Sequence, residues 1–127
     1  IFTKGGVMSG GPFFKSFVVT LASLLLNKLI GLPASDATYA WRLFSRRLLD
    51  RVEIESNAGF TYAIELLVKC HRLRWKVAEV PAKWIMRKKG ESRFNFKKWL
   101  PHYVKWFFYA LATTYLRKGP ETVKAKK

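Results

Sequence analysis

The residues best suited to chemistry lie in a short basic turn in the last third of the chain. Its cationic and polar members stand around a single glycine: Arg87, Lys88, Lys89, Gly90, Ser92 and Arg93. Guanidinium forks bind phosphate through paired donors, lysines add point charges, and glycine lets the backbone bend where a side chain would obstruct it. The turn could therefore hold a mono- or diphosphate. A solvated basic hairpin loop is the alternative that spacing alone leaves open.

Two isolated carboxylates are the next candidates. Asp36 follows the break at Leu32 and Pro33, and it could act as a general base or capture a metal-linked ligand. A cap on the turn before Thr38 is the other interpretation of Asp36. Glu65 lies within an apolar helical pattern, where it is either buried and poised for chemistry or paired with Lys69 one turn later.

Several other kinds of site are disfavoured. Glu53 and Glu55 form the only acid-x-acid spacing, and we interpret them as surface residues because neither a glycine turn nor a hydrophobic strand presents them. Cys70 and His71 are adjacent on a predicted helix, so they point apart and are expected to pack. One cysteine and two histidines exclude a disulfide framework and disfavour a zinc site. Gly-x-Gly-x-x-Gly and phosphate-loop lysine motifs are also absent.

Composition indicates a folded, strongly basic chain. Its 127 residues include 24 Lys and Arg against 8 Asp and Glu, which gives a net charge of +16. Half of the residues are hydrophobic, too many for a disordered chain. We therefore expect one domain with a polyanionic partner: nucleic acid, an anionic membrane surface or a phosphorylated small molecule. The glycine-rich start after Ile1 indicates a loop that enters from an earlier segment, so we expect the carboxyl-terminal piece of a longer protein.

The hydrophobic pattern predicts the elements that must position these residues. Helices are predicted over 13–30, 45–50, 60–73 and 94–116, and strands over 39–44 and 75–84, with Pro81 favouring a strand edge or end. The charge-free run from Ser16 to Leu26 is too short to span a bilayer, which favours a buried or membrane-lying helix. The tail from Lys118 is expected to fray.

The last predicted helix carries nine aromatic residues and several cations. Rings beside Lys97, Lys98, Lys105 and Arg117 are typical of a helix at a membrane surface, where rings lie at the headgroup boundary and cations meet phosphates. Stacking on single-stranded nucleic acid and simple core packing are the alternatives. The number of aromatic residues favours the membrane surface.

Taken in order, these motifs resemble the family 2 glycosyltransferases. The run comprises Asp36-Ala-Thr38, Trp41-Arg42-Leu43-Phe44, Glu55-Ser-Asn-Ala-Gly59-Phe60, Ile64-Glu65-Leu66, Glu79-Val80-Pro81, Arg87 and Gly90-Glu91-Ser92-Arg93-Phe94. The subgroup that it resembles is the dolichyl- or polyprenyl-phosphate mannosyl- and glucosyltransferases, with agreement from about Lys4 to Tyr109.

The resemblance implies an α/β fold, the carboxyl-terminal half of a GT-A (nucleotide-diphospho-sugar transferase) fold with amphipathic, interfacial helices. Residues 1–93 would belong to the catalytic domain, 94–118 would form the membrane-interface helix, and 119–127 a basic tail. The half that precedes this segment in the family carries an Asp-x-Asp motif for Mg²⁺ or Mn²⁺ and the nucleotide pocket. Metal ligands are therefore expected mostly outside this chain.

The resemblance also implies residue roles. Arg87, Ser92 and Arg93, around Gly90, would contact the sugar-nucleotide diphosphate or the acceptor phosphate. Asp36 becomes the first candidate for the catalytic base or for positioning the acceptor, and Glu65 the second. Lys15 falls where the family usually has an acceptor-phosphate arginine, although Val19 replaces the serine that often follows four residues later.

The implied activity is transfer of mannose or glucose from a nucleotide sugar, GDP-mannose or UDP-glucose in type, to a polyprenyl or dolichyl phosphate. Attachment would be peripheral or made through a partner subunit, at the cytoplasmic face of a membrane, with no nucleic-acid partner. Two rival hypotheses are a basic nucleic-acid-binding protein of ribosomal type, with steeply salt-dependent affinity, and a membrane-binding module without catalysis.

Overall fold

The structure, a computed structural model, describes residues 7–9, 13–85 and 96–127. Its elements in chain order are β1 (Val7–Ser9), α1 (Phe13–Ile30), α2 (Arg46–Arg51), α3 (Thr61–Arg72), β2 (Lys83–Ile85), α4 (Phe96–Tyr115) and a short 3₁₀ helix (Pro120–Thr122). The four predicted helices are therefore present, each close to its expected bounds.

Helix α3 forms the centre of the molecule because three of its faces are covered. Ile64, Leu67 and Val68 lie in one apolar cluster with residues of α1 and α4. Leu66 and Leu73 lie in a second cluster, which includes Leu48 of α2. The two sets alternate around the helix at a period near 3.6, so the clusters occupy opposite sides of α3. A third, polar face carries the buried residues Glu65, Lys69 and Arg72.

Helix α1 ends as its sequence predicts. Gly31 has a φ of +67°, the left-handed conformation that favours glycine after a helix, and its N–H donates to the carbonyl of Asn27 at 2.9 Å. The Asn27 side chain then donates to the carbonyl of Leu32 at 3.2 Å. These bonds turn the chain from α1 into the segment that carries Asp36.

Helix α4 packs against both α1 and α3. The Trp106 indole is 1% exposed, and its Nε1 donates to Ser56 Oγ at 2.9 Å. Near the end of α4, Thr114 Oγ1 and the Tyr115 hydroxyl donate to the carbonyls of Ile30 and Leu29. Much of the aromatic content of α4 is therefore packed in the core: Tyr103, Phe107 and Tyr109 pack around the buried Trp106 cluster.

The tail after α4 is bonded rather than frayed, contrary to expectation. Val52 and Ala125 form an antiparallel bridge, and Lys126 N–H donates to the carbonyl of Arg51 at 3.0 Å. Val123 packs against the α2–α3 cluster, and the Arg72 guanidinium donates to Thr122 Oγ1 at 3.1 Å. Backbone pairing and apolar contact hold this segment in spite of its charge.

The strand predictions were wrong in extent. Residues 39–44 alternate as a strand would, but no strand forms there; Arg42 is instead tied to the preceding turn, donating to the carbonyls of Tyr39 and Asp36. Within 75–84 only the last two residues belong to a strand, β2. β2 pairs in parallel with β1, Val7 opposite Lys83 and Ser9 opposite Ile85. A sheet of this size does not test the GT-A expectation, which stays a prediction.

Candidate functional site

The structure describes only some of the predicted site residues. Asp36 and Glu65 are described in full, and Lys15 is described as part of helix α1. Arg87, Gly90, Ser92 and Arg93 lie outside the described residues. The site is therefore built from the two carboxylates outward, and none of the described hydrogen bonds or ion pairs joins them.

Asp36 organises a tight turn, as the capping interpretation predicts. Its Oδ1 accepts three hydrogen bonds, from the backbone N–H groups of Thr38 and Tyr39, both at 3.1 Å, and from Thr38 Oγ1 at 3.0 Å. The residue is only 7% exposed. All three bonds end on Oδ1, and Oδ2 accepts no hydrogen bond from a described residue. Oδ2 can therefore accept a proton or a hydrogen bond from a ligand.

Two further groups brace the Asp36 turn. Arg42 donates to the Asp36 carbonyl. Burial lowers the pKa of the Arg42 guanidinium, although the negative charges of Asp36 and Glu79 act to raise it. Glu79 accepts from Ser35 N at 2.6 Å and from Ser35 Oγ at 2.7 Å. Since Glu79 lies just before β2, this bidentate contact ties the Asp36 turn to the strand that leads toward residues 86–95. Ser35 and Glu79 are 44 positions apart in the sequence, so the sequence alone does not predict this contact.

Helix α4 also reaches this turn. Burial, together with the negative charge of Asp36, raises the pKa of the Tyr103 phenol. The phenol therefore stays protonated and can act as a hydrogen-bond donor near Asp36.

A shallow cleft opens between α1 and the start of the turn. It has a volume of about 280 Å³ and is lined by Thr20, Ser23, Leu24, Asn27, Lys28 and Ser35. Ser23 is buried, and its hydroxyl has no hydrogen-bond partner among the described residues. Lys28 is the only cation in this lining. Ser35, which lines the cleft, directly precedes Asp36, and we call the Asp36 turn and the cleft together the Asp36 site.

Glu65 belongs to a different structure, the Lys69 cluster, which comprises Glu55, Glu65 and Lys69. Lys69 Nζ donates to Glu65 Oε1 at 2.7 Å, to Glu55 Oε2 at 2.8 Å and to the carbonyl of Glu53 at 2.8 Å. The Glu65 carboxylate also accepts the N–H groups of Glu55 and Ser56. Glu65 and Lys69 are both 0% exposed, so Glu65 is at once buried and paired.

The Lys69 cluster is suited to stabilising the fold rather than to catalysis. Both Glu65 oxygens and the Lys69 ammonium are occupied by protein partners, which leaves no open position for a substrate. Burial raises the pKa of Glu55, but the hydrogen bond and charge of Lys69, with Lys105 and Lys124, outweigh burial and lower it below its usual value. Glu55 is partly exposed, as the surface interpretation expects, but it also binds the buried Lys69.

The described residues do not fit a divalent metal. Groups of three or more His, Cys, Asp or Glu that could hold an ion are absent from this part of the chain. The one acid-x-acid pair is occupied by lysines, Glu53 by Lys124 at 3.2 Å and Glu55 by Lys69. These carboxylates stabilise the fold, and no step of a reaction is assigned to a metal here.

One surface of the molecule is apolar over two helices. We call it the apolar face; its members are Phe17, Leu21, Leu24, Leu25 and Leu29 of α1 and Leu100, Val104, Phe108 and Tyr115 of α4, all exposed. The two helices meet where Tyr115 donates to the Leu29 carbonyl. Within the described chain, neither helix combines the length and apolar character needed to cross a bilayer. Exposed apolar patches of this kind mark binding surfaces.

Comparison with known proteins gives several matches, among them one distant relative. The chain is 24% identical over 93 residues to an undecaprenyl-phosphate mannosyltransferase of Micrococcus luteus. The match covers 72% of this chain but only 38% of that protein, so the chain spans less than two fifths of its relative. Neither a family model nor a solved structure matches. At this coarse level the similarity agrees with the expected polyprenyl-phosphate glycosyltransferase.

Proposed function

We propose that the chain is the acceptor-side part of a glycosyltransferase that moves mannose or glucose from a nucleotide sugar to a polyprenyl phosphate at a membrane surface. The observation that carries the proposal is the 93-residue similarity to a protein named for a polyprenyl-phosphate acceptor. The sugar, the nucleotide and the cytoplasmic location are parts of the proposal.

The apolar face supports an acceptor with a long hydrocarbon chain. Polyprenyl tails need an apolar surface, and their phosphates need donors and cations at its edge. Helix α1 supplies both, since it carries Phe17 and Leu21 on the apolar face and Lys28 in the cleft of the Asp36 site. Burying one large apolar side chain is worth about 1.5–3 kcal/mol, so a few such contacts hold a lipid at a surface.

In this proposal Asp36 acts through Oδ2, the oxygen that accepts no hydrogen bond from a described residue. A carboxylate held rigidly by three bonds to Oδ1 can use Oδ2 to position a donor group of the acceptor or receive its proton. Lys15 would lie along the same helix as the cleft, and the turn at 87–93 would hold the diphosphate through Arg87, Ser92 and Arg93. Glu65 is assigned to the Lys69 cluster and not to the reaction.

The rest of the reaction is assigned to residues outside the described part. Mg²⁺ or Mn²⁺ would neutralise the departing diphosphate, and the donor sugar nucleotide would bind a preceding nucleotide-binding half. We propose that this half belongs to the same polypeptide, as the length of the Micrococcus luteus relative favours.

The proposal is tested by sugar transfer in the longer protein. Radiolabelled GDP-mannose and UDP-glucose are supplied with undecaprenyl phosphate and Mg²⁺ or Mn²⁺, and lipid-linked sugar is extracted and counted. Arg87→Ala and Asp36→Asn are each expected to lower transfer at least about a hundredfold, a loss typical of a removed charge-stabilising or proton-transferring group.

Asp50→Asn is the matched control, because Asp50 is an exposed carboxylate whose hydrogen bonds to Arg46 lie within α2. Its transfer rate is expected to equal that of the parent. Wild-type transfer by Arg87→Ala would exclude the phosphate role of the turn, and absence of transfer with both donors in the parent would exclude the activity itself.

A further inference from the structure

Two arginines of α2 lie against a single tryptophan on the side of α3 away from the apolar face. The guanidinium carbon of Arg47 is 5.3 Å from the centroid of the Trp75 ring, and that of Arg51 is 5.8 Å from it. Arg47 and Arg51 are four positions apart on α2, so they project from the same side of the helix. Trp75 packs against the second apolar cluster, which fixes the ring to the core.

These guanidiniums keep their hydrogen-bonding capacity. Arg47 and Arg51 donate no side-chain hydrogen bond to a described residue, and neither belongs to a described ion pair. A cation–π contact with a ring uses none of the five N–H donors of a guanidinium. Each guanidinium therefore lies beside Trp75 and donates to no described residue.

The nearest acid on the same helix is already neutralised. Asp50 binds Arg46, whose Nε lies 2.9 Å from Asp50 Oδ1. Arg74 and Lys76, both exposed, flank the tryptophan in sequence and add two more positive charges to this surface. The positive charge beside Trp75 is therefore uncompensated, in a chain whose net charge is +16.

We propose that Arg47, Arg51 and Trp75 form a phosphate-binding site, separate from the Asp36 site, that takes a phosphomonoester group. Two guanidiniums beside one fixed ring can both donate paired hydrogen bonds to a phosphomonoester, because that group has several acceptor oxygens. A nucleobase is a poorer occupant, because the two guanidiniums already lie over the indole ring. The group could come from a soluble phosphate compound or from a lipid headgroup, and both present the same chemistry. This site does not rest on the proposed transferase function.

The first experiment titrates the 127-residue chain with glycerol phosphate and observes the indole Nε1–H resonances by NMR. Trp75→Phe identifies the Trp75 signal among the five tryptophans. We expect a saturable shift of the Trp75 resonance. Arg47→Ala and Arg51→Ala should each weaken binding roughly tenfold, as expected for loss of a charge-assisted hydrogen bond.

Arg46→Ala is the matched control, because it removes the same charge from the same helix but takes a guanidinium that is bound to Asp50. It should weaken binding less than about twofold, the effect of a distant screened charge. The charge-preserving double substitution Arg47→Lys with Arg51→Lys should weaken binding like the alanine variants, since lysine cannot offer a fork. Circular dichroism checks that every variant keeps the parent fold.

A second titration uses vesicles of phosphatidic acid in phosphatidylcholine, with phosphatidylcholine alone as the reference. A shift with glycerol phosphate assigns the site to soluble phosphates, and an Arg47- and Arg51-dependent shift only with phosphatidic acid assigns it to headgroups; either result supports the proposal. It is overturned if Arg46→Ala weakens binding as much as Arg47→Ala, or if the double lysine variant binds like the parent. A response to RNA alone would overturn it as well.

Discussion

At the scale of single residues, the roles of the two predicted carboxylates separate according to what surrounds them. Asp36 Oδ2 accepts no hydrogen bond from a described residue, whereas both Glu65 oxygens accept from protein groups, namely Lys69 and two backbone N–H groups. Sequence predicted the pairing of Glu65 with Lys69, because the i,i+4 spacing is local. It did not predict that Glu55 joins them, since that contact depends on how the loop before α3 folds back.

Lys69 is a buried charge on which several groups depend. Substitution Lys69→Met keeps the length of the side chain but leaves the fully buried Glu65 carboxylate without its cation. We expect a loss of about 3–5 kcal/mol in the free energy of unfolding, the cost of breaking a buried pair on one side. Urea denaturation followed by circular dichroism measures the loss.

Lys124→Met is the control for Lys69→Met. Lys124 also binds the Glu53–Glu55 segment, at 3.2 Å from Glu53, but its side chain is 58% exposed. Its loss should therefore stay within about 1 kcal/mol. Equal losses of unfolding free energy for the two variants would show that burial does not determine how strongly the Lys69 cluster stabilises the fold.

At the scale of elements, periodic patterns were reliable where packing agrees with them. Helix α3 was predicted over 60–73 and lies at Thr61–Arg72, because its apolar positions match two clusters on opposite sides. The strand predicted over 39–44 does not form, although its alternation is real: Trp41 and Leu43 point outward while Arg42 is held by carbonyls of the turn. Strands need a neighbour, and alternation in one segment says nothing of its partner.

Two glycines with left-handed backbone allow a test of packing at an element boundary. Gly59, just before α3, has a φ of +53°, and a Cβ there would lie 2.6 Å from the Trp99 ring of α4. Gly31, after α1, has a φ of +67° with nothing within 4 Å of such a Cβ. Gly31→Ala should cost about 1–2 kcal/mol from backbone strain alone.

Gly59→Ala adds overpacking to the same strain, so its loss should exceed that of Gly31→Ala by about 1–3 kcal/mol. Thermal unfolding of both variants under one set of conditions compares them. A Gly59→Ala variant as stable as Gly31→Ala would mean that the Trp99 ring moves aside without cost.

At the scale of the whole molecule, the apolar face and the arginines of α2 lie on elements that pack against different sides of α3. Buried residues of α1 and α4 pack on one side of α3, and Leu48 of α2 packs on the other. Composition predicted the basic charge and a membrane-facing helix but not this division, because the side on which α2 packs is decided by the tertiary contacts of Leu48, Leu66 and Leu73.

If the apolar face contacts a bilayer, removing two of its side chains should weaken vesicle binding. Leu21→Ser with Phe108→Ser, one change in each helix, is expected to lower partitioning at least roughly tenfold, because each side chain contributes about 1.5–3 kcal/mol when buried. Sedimentation with vesicles containing phosphatidylglycerol measures the partition coefficient.

Leu43→Ser is the matched control, since Leu43 is fully exposed but lies outside both helices. It should leave partitioning unchanged within about twofold, the scatter of a surface substitution. If Leu43→Ser weakens binding as strongly as the double variant, general hydrophobicity rather than the apolar face accounts for vesicle binding.

The bonded tail has a consequence for proteolysis. Arg117 and Lys118 are exposed, so trypsin can cut at this junction between α4 and the bonded tail. After cleavage, the tail peptide would stay bound to the rest of the protein through the Val52–Ala125 bridge and the hydrogen bond from Arg72 to Thr122. A nicked molecule should therefore run as one particle by gel filtration and as two bands on a denaturing gel, the behaviour of a non-covalent two-chain complex.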